Sequence, residues 1–218
     1  VRCPQDEERR KADWRESIVM TAAGLFLKNG IEPVAMTDIA KACDIGVATL
    51  YRYYGTKAGI VVEAGALLWK DLLRLFDGIF ETDGYRSKSG MAQIEELLGF
   101  FLRLYREQQP FLRFVQQFDR FVLAEKVPPE KLLSYQAHVL DLYPLFEAAY
   151  EKACREGSAR PGLPAALVYA SVSHALMAVS QKFLAGDVLP SDAVADKDAE
   201  LARLVDITLY YLKAAPTV

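Results

Sequence analysis

The densest chemistry in the chain lies in Val47-Ala48-Thr49-Leu50-Tyr51-Arg52-Tyr53-Tyr54, with Gly46 before it and Lys57 soon after. Small and hydroxyl-bearing side chains at the start of a helix, here Val47, Ala48 and Thr49, suit close approach to base edges in a major groove. Arg52 can reach a base or a phosphate. Lys57 stands where a helix begins, so a phosphate there gains from both its charge and the helix dipole. Upstream, Thr37 offers a hydroxyl and the backbone N–H groups of another helix start to a phosphate. Carried on a helix-turn-helix, such a pattern would suit contact with double-stranded DNA.

Other chemistries have little to stand on. The chain contains no G-x-S-x-G, H-E-x-x-H, Walker or G-x-G-x-x-G motif. Its two histidines, His138 and His174, are 36 residues apart. Glu7-Glu8 and Glu95-Glu96 lie on charged helical faces. Cys3, Cys43 and Cys154 are odd in number and widely spaced, which suggests neither a disulfide framework nor a zinc site. No catalytic residue, metal or cofactor is expected.

The elements that must hold the DNA-directed residues are helices. Apolar residues recur at spacings of three and four, and the pattern predicts an all-α fold of about nine helices, at 6–29, 37–43, 47–53, 57–82, 91–107, 110–125, 129–156, 164–185 and 198–213. In the first, Ile18, Ala22, Leu25 and Phe26 form one stripe, stopped by Asn29-Gly30. Thr37 is expected to cap the second, whose buried face is Ile39 and Ala40. Asp44-Ile45-Gly46 then turns the chain, with Gly46 as the N-cap of a third helix that places Leu50 in the core and Tyr54 on the first helix. Two short helices joined by a tight turn and braced by a third form a helix-turn-helix.

In order and spacing, Ala22-Ala23…Leu25-Phe26…Gly30, Thr37…Ile39-Ala40 and Thr49-Leu50-Tyr51-Arg52-Tyr53-Tyr54…Lys57 resemble the TetR/AcrR family of bacterial transcriptional regulators. The resemblance covers about residues 13–60. It implies an N-terminal DNA-binding domain over 1–56 and a C-terminal ligand-binding and dimerisation domain over 57–218. It also implies a homodimer on a palindromic operator, usually a repressor, released by a small-molecule effector. Tyr51 and Tyr53 resemble the family's phosphate- and groove-contacting aromatics. The chain departs from the family at Cys43-Asp44 and Ala48, where glycine is usual, at Gly46, where serine is usual, and at Tyr54, where phenylalanine is usual.

Composition sets outer bounds. With 52% hydrophobic and 25% charged residues and a net charge of −3, the chain is neither disordered nor coated in basic charge. The first 60 residues carry nine basic and eight acidic groups, and the remainder seventeen and twenty-one, a sign that suits an N-terminal nucleic-acid reader. Residues 161–181 lack charge and approach bilayer-spanning length. Their two prolines, Gly162, His174 and five alanines read better as a buried helix, so no membrane partner is expected. The charged start has no apolar leader core, and a cytoplasmic protein with reduced thiols is the reading.

The C-terminal body is rich in rings. Most must be core, yet Phe76, Phe80, Phe101, Tyr105, Phe114, Phe118, His138 and Tyr143 are candidates to line a pocket for an apolar or aromatic ligand, with Arg103, Arg113, Gln117 and His174 as nearby polar groups. Helix 164–185 is apolar on two faces. Its small-residue face, Ala166, Ala170, Ser173 and Met177, together with Leu204 and Thr208 of the last helix, is the candidate dimer interface. The alternative is an all-α enzyme or small-molecule carrier whose N-terminus only looks like a DNA reader.

Overall fold

The computed structural model describes residues 4–76 and 78–214; Cys3 lies outside them. Among the described residues the chain is helical, with one isolated bridge between Ala159 and Lys213 and no other strand pairing. The helices are α1 (Pro4–Asn29), α2 (Met36–Ala42), α3 (Val47–Tyr54), α4 (Lys57–Leu75), α5 (Asp83–Arg86), α6 (Gly90–Glu107), α7 (Gln109–Ala124), α8 (Leu133–Gln136), α9 (Tyr143–Arg155), α10 (Ala165–Ala185) and α11 (Lys197–Leu212).

Two expected helices are cut, which raises the number from about nine to eleven. The helix expected over 57–82 ends at Leu75. Phe76 leaves helical geometry at φ −112 and ψ 7, Gly78 takes φ +73, and Thr82 then caps α5 by accepting the Tyr85 N–H. The helix expected over 129–156 breaks into a 3-10 turn at Pro129–Leu132, the short α8, and α9. Pro144 is the reason: it has no N–H to give and its ring excludes the preceding turn, so it fits only the first turn of a new helix.

Packing divides the chain into two compact units, 1–76 with 113–140, and 77–112 with 141–218. In the first, α1 to α4 share one core with α7. Ile18, Phe26, Ile39, Leu50, Ile60 and Phe114 are all at most 2% exposed. The stripe expected on α1 is the one buried. Phe118 stacks on Tyr135 with ring centroids 4.1 Å apart. The Tyr135 hydroxyl is pushed up to about 12 by burial, against a hydrogen bond from Trp69 that lowers it. In the second unit, α6 packs against α9, α10 and α11. Leu98, Phe146, Leu176 and Leu201 are fully buried there. This partition by packing differs from the division expected at residue 56.

Candidate nucleic-acid interface

The two short helices and their turn are built from local chemistry. The chain enters α2 through Ala35 in extended geometry, and the Asp38 carboxylate reaches back to accept the Ala35 N–H at 2.8 Å. Thr37 is therefore not the cap. It sits second in the helix and is exposed. At the far end the Ile45 N–H donates to the Ala40 carbonyl at 3.0 Å, and Asp44 takes φ +54. That left-handed position suits glycine best, and aspartate is among the few other residues that tolerate it. The departure from glycine at Cys43-Asp44 thus keeps the turn.

Gly46 precedes α3 in extended geometry, and its carbonyl accepts the Thr49 N–H at 2.9 Å. Across α3 the burial is sharply one-sided. Leu50 is 0% exposed, whereas Val47 is 37% and Tyr51 48% exposed, and Ala48 and Arg52 are open as well. Thr49 and Tyr53 are half-buried. The Tyr53 ring is held on three sides. Trp14 meets it edge-on at 5.1 Å, and the guanidinium carbons of Arg15 and Arg52 stand 5.3 and 5.2 Å from its centroid. Tyr54 packs as expected on α1, its hydroxyl donating to the Arg15 carbonyl at 3.2 Å. Burial pushes that hydroxyl's pKa up.

The start of α4 closes tightly on the end of α3. A side chain at Gly59 would stand 2.1 Å from the Tyr54 carbonyl oxygen, so only glycine fits. Lys57 is half-buried. Its ammonium donates to the Glu32 carbonyl at 2.9 Å and lies 5.7 Å from the centroid of Phe121. Desolvation lowers its pKa.

The rings expected to line a pocket fall in both compact units. Phe76, Phe114, Phe118 and His138 belong to the first, and Phe80, Phe101, Tyr105 and Tyr143 to the second. Phe114 and Phe118 adjoin at 5.9 Å in the core of α1 and α4. Phe80 meets Phe100, which in turn meets Phe101. Tyr105 lies edge-on to Phe183, and Tyr143 tilts against Tyr169. His138, with Nδ1 2.8 Å from the Ser134 carbonyl oxygen, lines a cleft of about 530 Å³ together with Arg15, Tyr53, Tyr54, Glu63 and Lys70.

On α10 the expected face is only partly open, with Ala166 exposed and Ala170 and Met177 half-buried. Ser173 is 8% exposed and faces its own core, whereas Leu167 is 64% exposed and Ser171, His174 and Ala178 are open. Those residues lie roughly a quarter turn round the helix from Ala166, Ala170 and Met177. The reason is that α9, α6 and α11 cover the side on which Ser173, Leu176 and Ser180 are buried. An apolar groove of about 410 Å³ follows the open side, lined by Leu167, Ser171, Ala175, Leu204, Ile207, Thr208 and Tyr211 among others. Leu204 and Thr208, the dimer-interface candidates of the last helix, line it. Leu167, Ile207 and Tyr211 complete its apolar lining.

Residues 18–64 match the family model described as bacterial regulatory proteins, tetR family. The chain thus carries that family's N-terminal domain. It is a DNA-binding transcriptional regulator. No curated protein sequence matches it. Its fold recurs in solved TetR-like structures of low identity. A putative transcriptional regulator from Saccharomonospora viridis in complex with choline shares 18% identity at TM-score 0.70, over 94% of this chain and 100% of that one. The ketosteroid transcriptional regulator KstR2 of Mycobacterium tuberculosis shares 15% at 0.61, over 92% and 95%. The fatty acid degradation regulator FadR of Bacillus halodurans shares 14% at 0.61, over 91% and 100%. Among the described residues no helix is long and apolar enough to cross a membrane.

Proposed function

We propose that this TetR-family chain is a cytoplasmic repressor that binds a palindromic operator as a homodimer and leaves it when a small, largely apolar effector binds. The observation that carries the reading is the one-sidedness of α3: Leu50 is sealed in the core, while Val47, Ala48, Tyr51 and Arg52 are open. A helix presented this way offers one face to a major groove, and its first residues meet base edges. Thr37 and the Lys57 donors not used by Glu32 serve phosphates, and the cations around Tyr53 hold that ring toward the backbone.

Residues 1–56 act as the reader, and 57–218 as the ligand-binding and dimerising part. The dimer forms through the open face of α10 and α11. Leu167, Ile207 and Tyr211 are too apolar and too exposed for a solvated surface, with Ile207 at 57%. A self-complementary apolar face suits a two-fold contact. Neighbours of the same fold are described with choline, as a ketosteroid regulator and as a fatty acid regulator, which favours a small organic effector here too. The test is selection of duplexes from a random-sequence pool. The expected product is an inverted repeat whose half-sites lie roughly 34–36 Å apart along the helix axis. Enrichment of a single, non-repeated site would remove the dimeric reading.

A further inference from the structure

We propose that Gln117 of α7 is a positioning residue for DNA recognition: its side-chain oxygen fixes the loop between α1 and α2, and through it the stance of α2 and α3. The inference rests on the reading of α2 and α3 as the DNA reader. After α1 ends, Ile31 is fully buried, and its backbone N–H donates to the Gln117 Oε1 at 2.7 Å. A buried N–H needs a partner. Here the partner comes from 86 residues along the chain.

The neighbouring loop residues are shaped around the same contact. Gly30 takes φ +87, and a side chain there would stand 2.9 Å from the Gln117 Oε1. Its missing side chain thus admits both the turn and the glutamine. One residue beyond Ile31, the Glu32 carbonyl accepts from Lys57, whose ammonium lies over Phe121, one turn past Gln117 on α7. Two consecutive loop residues are therefore gripped from α7 and α4. Val34 and Met36 then enter the core, at 3% and 5% exposure, and α2 begins. With the loop held at both ends, the start of α2 has little freedom, and α3 follows through the fixed turn at Asp44.

If Gln117 only satisfied a buried group, its loss would weaken folding and leave DNA discrimination alone. As a positioning residue it alters sequence-specific binding more than charge-driven binding to any duplex, which depends on phosphate contacts. The experiment uses the full chain, a duplex selected by the wild type from a random pool, and a scrambled duplex of equal length. Affinities are read at a temperature where circular dichroism shows every variant folded, and Ile31 amide exchange is followed by NMR. Gln117→Leu should lose about tenfold on the selected duplex and little on the scrambled one, with faster Ile31 exchange. Gln117→Glu, which keeps an acceptor oxygen, should stay within about threefold of wild type. If Gln117→Leu fails to fold, the shorter Gln117→Asn takes its place with the same expected split. Equal losses on both duplexes, or an unchanged selected-duplex affinity despite fast Ile31 exchange, would overturn the proposal. A wild-type selection that enriches nothing would instead overturn the DNA reading itself, and the clamp with it.

Discussion

The reader at the N-terminus and the body built of α6, α9, α10 and α11 are both helical, yet their sequences constrain them differently. In the reader, short helices leave little room for substitution. Leu50 must be buried, Asp44 must adopt a left-handed turn, and Gly59 must admit the Tyr54 carbonyl. In the body, long helices such as α6 and α10 bury what happens to face inward, and many apolar residues would serve. The lesson is that tight backbone geometry writes itself into residue identity, whereas broad packing writes itself only into period.

The comparison is broken most severely by separating assembly from reading. Ile207→Arg on α11, tested with Leu167→Arg on α10, should yield folded monomers by sedimentation and lower operator affinity by more than about a hundredfold, since one reader then acts alone. A variant that stays dimeric would move the interface elsewhere. Next in size is the reader's core. Leu50→Ala should cost about 2–5 kcal/mol in chemical denaturation, because a fully buried leucine leaves a cavity between short helices that cannot close it. The same exchange at the half-buried Leu204 on the rim of the groove should cost well under that.

A smaller effect isolates function from stability. Tyr51→Ala removes an exposed ring and should weaken DNA binding by about tenfold, with the midpoint of unfolding unchanged. The smallest is a pH effect that both compact units share. Burial pushes the hydroxyls of Tyr135, in the first compact unit, and Tyr85, in the second, up to about 12. The folded state then holds protons that the unfolded state gives up near its ordinary pKa of 10. Stability should be full below that pH and fall as pH climbs toward 12. Tyr85→Phe and Tyr135→Phe should each flatten the alkaline loss, read by fluorescence against pH; an unchanged slope in both would show the phenols are not responsible.

Much of the reader was readable from residues alone. The stripe on α1, the stop at Gly30, the turn at Asp44-Ile45-Gly46 and the seat of Tyr54 all follow from local rules, and the structure has them. Asp38 as the cap-forming residue was equally local, but the nearby Thr37 hydroxyl is the commoner choice and hid it. Gln117 was visible only as a polar group on an aromatic helix. Its partner is a backbone N–H far off in sequence, and backbone groups carry no signature of their own. In the body, the break at Pro144 was written in one residue, but the apolar period on either side of it runs on unbroken. On α10 two faces were seen to be apolar. Which one its neighbours cover depends on how α6, α9 and α11 pack, and period does not encode that.

The most direct test of the account is the salt dependence of binding to the duplex selected from a random pool, measured for the wild type and Tyr51→Ala. A dimer that presents two α3 helices to successive major grooves should bind the selected repeat with a logarithmic affinity that falls steeply and linearly with logarithmic salt. At every salt concentration it should bind that repeat more tightly than a scrambled duplex, and Tyr51→Ala should narrow the gap. A protein with no preference between the two duplexes, or no salt dependence for either, would contradict the assignment of α3 as the reading helix.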